Sequence, residues 1–223
     1  MIDFAVFVVM SVLESSAVFY LAFKIFKIDL YPKEIVFAGI VMAFISYVLR
    51  NTYQLSEIDV IVQFALMICF IWLLFRIHLF YAIIMTGMCY QLYMLIQSLL
   101  FLLMESLGIS DFRFHHITIG IYLLQVFNVA GASGIGYWVG KRRKGFDFIP
   151  DKPDEKIHIG TQEKVLFILS FPSVLAVLIM LRLAQNNSKL FFCVPLFYAL
   201  ILFGYLILSN KKNRGDDFGQ PGS

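Results

Sequence analysis

Apolar runs of about 15 to 26 residues recur along this chain, separated only by short polar clusters, and that segmentation limits what it can fold into. At 1.5 Å of rise per helical residue, such runs match a hydrocarbon core about 30 Å thick better than they match one buried soluble core. The composition agrees: 60% of the residues are hydrophobic, 15% are charged and 24 are Phe. Mean hydropathy is +0.82. Soluble domains sit near about 45–50% apolar and 25% charged. The expected fold is an all-α polytopic membrane helix bundle in the cell membrane, with the lipid bilayer as its first partner and no separate soluble domain.

Seven spans are expected, at about residues 2–23, 35–52, 59–76, 79–105, 116–140, 165–182 and 190–209. In the second, only 15 uncharged residues separate Glu34 from Arg50. That is about 23 Å of helix, so Arg50 must snorkel or the helix must continue toward Tyr53. The third and fourth spans are broken only by "RIH" at residues 76–78, which reads as a tight helical hairpin with Arg76 at the turn. Orientation follows from Lys and Arg, which concentrate on the cytoplasmic side of membrane proteins. With the N-terminus outside and the C-terminus in the cytoplasm, 14 of the 18 fall inside, and only Arg50, Arg113, Arg182 and Lys189 fall outside. The first apolar run lacks a basic leader and reads as a retained helix rather than a cleavable signal.

The bundle is expected to occupy residues 1–210, followed by a polar, Gly-rich, disordered tail at 211–223. Its one sizeable cytoplasmic loop, residues 141–164, opens with Lys141, Arg142, Arg143 and Lys144. Four bases beside a helix end act as a topology signal and as an anchor for anionic lipid. The acidic second half of the loop argues against nucleic-acid binding. Cys69, Cys89 and Cys193 all lie in apolar runs without metal-type spacing, and read as small packing residues. His78, His115, His116 and His158 fall in turns or loops, and no HExxH, GxSxG or CxxC motif occurs. No catalytic set, metal site or cofactor is expected.

The intramembrane polar residues are the functional candidates. Glu14 lies near the middle of "VVMSVLESSAVFYLAF", residues 8–23. An acidic residue at a helix centre costs about 2.5 to 3.5 kcal/mol on insertion scales. About 18 Å of helix separates it from the outer end, too far for a short side chain to reach water. No base is expected at that depth. Glu14 should therefore find a hydrogen-bonding partner on another helix, carrying its proton and donating it, with Ser15 or Ser16 assisting. Tyr93 and Gln97 share a face of the fourth helix at i and i+4, and Gln125 and Asn128 lie on the fifth. Ala132, Gly136 and Gly140 recur every four residues there, a small surface that lets two membrane helices approach closely, inside the bundle or across a homodimer.

The segments "ESSAVFYLAFKIFKI" and "ISYVLRNTY", the close third and fourth spans, the basic loop and the cytoplasmic C-terminus together resemble the membrane sensor region of Agr-type quorum-sensing histidine kinases and related Firmicute sensors, over residues 1–212. In that family the last helix leads into a dimerisation helix with a phospho-accepting His and an ATP-binding domain, and no such segment follows here. The resemblance implies a receptor-like module working through a separate partner, an isolated sensor fragment, or a relative with an unrelated role. The expected function is a non-enzymatic sensor or regulatory subunit that detects an extracellular or membrane ligand and signals to a membrane or cytoplasmic protein. The alternative is a small transporter or permease component with Glu14 as a proton or cation site.

Overall fold

The computed structural model describes residues 2–107, 119–142, 145–149, 164–170 and 194–217. Among these the chain is helical and forms no strand. The helices are α1 (Ile2–Ile25), α2 (Pro32–Tyr47), α3 (Ser56–Leu73), α4 (Leu79–Ser106), α5 (Ile119–Lys141), a short α6 (residues 164–170) and α7 (Val194–Asp217). Four of them contain stretches long and apolar enough to cross a membrane: Phe4–Ile25, Pro32–Thr52, Leu79–Ser106 and Val194–Lys211. The apolar part of α3, Ile58–Leu73, is shorter. Among the described residues, four of the seven expected spans thus have a helix long and apolar enough to cross a membrane. Residues 171–182 of the expected sixth span lie outside the described residues, as do His115, His116, His158 and Cys193.

Local chemistry sets the helix ends. Pro32 opens α2, where a missing N–H needs no helical partner. After Tyr47 the chain winds on through a π-helical turn, Val48–Thr52, so the second span does continue past Arg50. Lys27, Gln54 and Arg76 carry the turns that follow α1, α2 and α3, with φ of 52°, 55° and 56°. In each, a left-handed residue folds the next N–H back onto a helix carbonyl, as Ile28 N donates to Phe23 O at 2.9 Å. His78 begins α4 by accepting the Phe80 N–H on Nδ1 at 3.3 Å. The "RIH" segment is the expected turn. α7 continues through Asp217, so residues 211–217, the first part of the polar tail, are helical.

The core forms around α1, where Phe19, Leu21, Ala22 and Phe23 are fully buried. Gly39 of α2 meets Val12 and Ser16 on one side of α1. On another side Gly136 and Gly140 of α5 meet the Tyr20 ring and the Lys24 stem. The small-residue stripe is therefore spent within the chain, with Ala132 fully buried. α4 runs antiparallel to α1, since Tyr93 meets Glu14 while Tyr81 lies near Phe148, beside Phe26. α7 runs antiparallel to α4, with Tyr205 against Gly87 and Tyr198 packing near Met94 and Leu95. Large apolar side chains such as Phe44, Leu73, Leu200 and Phe203 face outward, which suits a hydrocarbon surrounding far better than water.

One short segment of the basic loop belongs to this core. Phe146, Phe148 and Ile149 are buried, and Phe26 packs on both rings. The Phe146 N–H donates to the Ile25 carbonyl at 2.7 Å, and Lys27 pairs with the exposed Asp147 at 3.3 Å. The strap is possible because Gly145 has no side chain: a Cβ there would lie 2.5 Å from the Ile25 oxygen. Backbone cannot yield as a flexible side chain can. Gly145→Ala is expected to lower stability by about 1–3 kcal/mol and to speed amide hydrogen exchange at Phe146–Ile149, read by thermal unfolding in detergent and by exchange mass spectrometry.

Candidate functional site: an intramembrane carboxylate cluster

Three helices far apart in sequence meet at Glu14. From α4, the Tyr93 hydroxyl donates to Oε1 at 2.6 Å; from α5, the Gln125 amide donates to Oε2 at 3.4 Å. Asn128, one turn after Gln125, is buried and hydrogen-bonds the Tyr93 hydroxyl. Tyr93 is buried as well. The expected cross-helix partner exists, but the polarity is reversed: Glu14 accepts on both oxygens rather than donating. The reason is the company it keeps, a phenol and an amide N–H aimed at it. Short O–H to carboxyl-oxygen bonds of this length belong to the stronger class of hydrogen bond.

Of the other expected members, Ser15 takes no part in the bonds around Glu14, and Gln97, although it shares a face with Tyr93, stays outside them. Helical phase alone does not decide reach, because Gln97 sits one turn beyond the level at which α1 presents Glu14. Among the described residues two acceptors in the cluster have no partner: Gln125 Oε1 and Asn128 Oδ1 are buried and unbonded.

No family model, curated protein or solved structure matches this chain. Among the described residues no group of three or more His, Cys, Asp or Glu is placed to hold a metal ion.

Two further polar groups escape a reading of the sequence. Asp59, at the start of α3, is fully buried. It accepts from Ser46 Oγ at 2.9 Å, from Arg50 Nε, and from Gln63 Nε2 at 3.2 Å, and Gln63 also donates to the Met42 carbonyl at 3.0 Å. This network ties α2, its π turn and α3 together, and it explains how an Arg is tolerated at the end of an apolar helix. The available signal is weak: an acidic pair, Glu57 and Asp59, soon after a single Arg. The second group lies between α4, α6 and α7, where Tyr205 donates to Ser170 at 2.9 Å across the Gly87 backbone. Gln91, one turn along α4 from Gly87, is buried, and neither of its amide atoms is bonded among the described residues.

At the far end of α5, Arg142 lies over the Trp138 ring at 4.7 Å and Lys141 over Tyr137 at 5.9 Å. Aromatic side chains with adjoining bases favour the boundary between hydrocarbon and headgroups. Arg143 and Lys144 lie outside the described residues.

Removing one partner separates the roles of these groups. Tyr93→Phe is expected to cost about 0.5–2 kcal/mol, as interhelical hydrogen bonds in membranes do. Asp59→Ala is expected to cost about 1.5–3 kcal/mol, since it removes the charged acceptor shared by Ser46, Arg50 and Gln63. Unfolding midpoints of both variants in one detergent check the ranking; a Tyr93→Phe loss as large as that of Asp59→Ala contradicts it.

Proposed function

We propose that this chain is a multi-pass membrane sensor or regulatory subunit, with its N-terminus outside and its C-terminus in the cytoplasm. A ligand arriving from outside or through the bilayer shifts α1 against α4 and α5. The loop after α5 and the C-terminal segment pass that shift to a separate signalling protein. One observation carries the reading: α1 bears both Glu14 and, 11 residues later, the Ile25 carbonyl that holds the loop strap. About 16 Å of continuous helix connects them, so a rigid displacement at one end is felt at the other.

The distribution of charge supports the orientation. Lys24 and Gly140 meet, Phe23 packs on Phe75 beside Arg76, and Lys27 pairs with Asp147, so these bases gather at one end of the bundle with Lys141 and Arg142. Arg50 lies at the opposite end, where Phe4 packs on Tyr47. That asymmetry is what a cytoplasmic face requires.

The test places cysteines at Lys27 and Asp147 in a chain whose native cysteines are replaced, and follows disulfide formation in native-host membranes with and without medium conditioned by the host. The expected result is a change in trapping rate of roughly five-fold or more, the lower range of allosteric coupling, that disappears with Glu14→Gln. An unresponsive strap, together with solute or proton flux in proteoliposomes that Glu14→Gln abolishes, overturns the sensor in favour of a transporter.

A further inference from the structure

The polar atoms around Glu14 do not balance. A carboxylate offers about four lone-pair positions, and it receives two hydrogen bonds here, from Tyr93 and Gln125. The same cluster adds two buried carbonyl oxygens, Gln125 Oε1 and Asn128 Oδ1, that bond to nothing among the described residues. Asn128 is 1% exposed, bonds Tyr93 and lies one helical turn from Gln125 on the face of α5 that meets Glu14. The amide of Gln125 cannot turn over to relieve the surplus without facing its own oxygen to Glu14. Acceptors therefore exceed donors in the interior of a membrane-embedded bundle.

That excess selects a ligand class. An anion is repelled by every oxygen present. A divalent ion leaves a net positive charge against a single carboxylate, which a low-dielectric surrounding resists. Soft metals want thiolate, thioether or imidazole, and the cluster supplies hard oxygens alone. We infer that Glu14, Gln125, Asn128 and the Tyr93 hydroxyl form a binding site for a desolvated monovalent cation, either a small alkali ion or the primary ammonium group of an organic ligand. Both neutralise one carboxylate and both take up the two unbonded carbonyls. The ammonium has three N–H donors for the carboxylate and the two amide oxygens; an alkali ion takes the same oxygens and the phenol oxygen as ligands. The inference goes beyond the sensor reading and does not depend on it, because binding at this site requires neither signalling nor transport.

The experiment uses the purified full chain in detergent, at constant pH and constant ionic strength, with choline chloride exchanged stepwise for sodium, potassium or methylammonium chloride. Choline is too large to lose its hydration into the cluster and has no N–H. The expected result is a saturable rise in the thermal unfolding midpoint with at least one small cation. Half-saturation should move to at least roughly ten-fold higher concentration in Glu14→Gln, the loss of one charged partner. Asn128→Leu, which leaves the carboxylate in place, should also weaken the response, while Ser209→Ala on α7 should leave it unchanged. A response to sodium or potassium assigns an alkali ion, and a response to methylammonium alone assigns an ammonium ligand. Superimposable curves for choline and the small cations overturn the proposal, as does a response that survives both Glu14→Gln and Asn128→Leu. The strap cross-linking experiment fails or succeeds separately, so loss of the sensor reading and loss of the cation site are distinguishable.

Discussion

Helix α1 joins α2, α4 and α5 to one another, and it is held by contacts that lipid cannot replace. Between helices in a bilayer there is little hydrophobic driving force, since acyl chains are as apolar as leucine. Close approach and hydrogen bonding must do the work instead. Gly39 brings α2 to Val12, Gly136 and Gly140 bring α5 to Tyr20 and Lys24, and Glu14 draws α4 and α5 together through Tyr93 and Gln125. Without α1, α2 and α5 lose the helix that each packs against most.

The helical class, the hairpin at Arg76 and His78, and the importance of Glu14 are all legible in the sequence because each follows from local cost. A long apolar run has few uses, a base ends a span, and a carboxyl group inside one needs a partner. The partner itself is not legible. Tyr93 and Gln97 are equivalent by helical phase, and only the vertical register of α1 against α4 selects Tyr93. The direction of that bond is equally hidden, since it depends on which groups on other helices face Glu14. The small-residue stripe shows the same division: Ala132, Gly136 and Gly140 announce a close contact, and the partner surface on α1 emerges only in three dimensions.

Asp59 was hidden because a charged residue near a span end reads as a boundary marker, whereas here it is buried and answered by Ser46, Arg50 and Gln63. The "GFDFI" segment was hidden because the basic run before it dominates the reading of the loop. Its alternating aromatic residues carry the signal: Phe146 and Phe148 turn inward, and Asp147 between them turns out to Lys27.

The central helix α4 has 28 residues, about 42 Å of helix against a hydrocarbon core of about 30 Å. Such a helix tilts or carries its last turns among the headgroups, and its inclination follows from the neighbours that grip it. Those neighbours include α1, α3, α5 and α7. Compressing or thickening the surrounding bilayer therefore bears on the angle at which Tyr93 crosses Glu14. In a bilayer, the thickness of the membrane would thus bear on the same bond that joins the three helices.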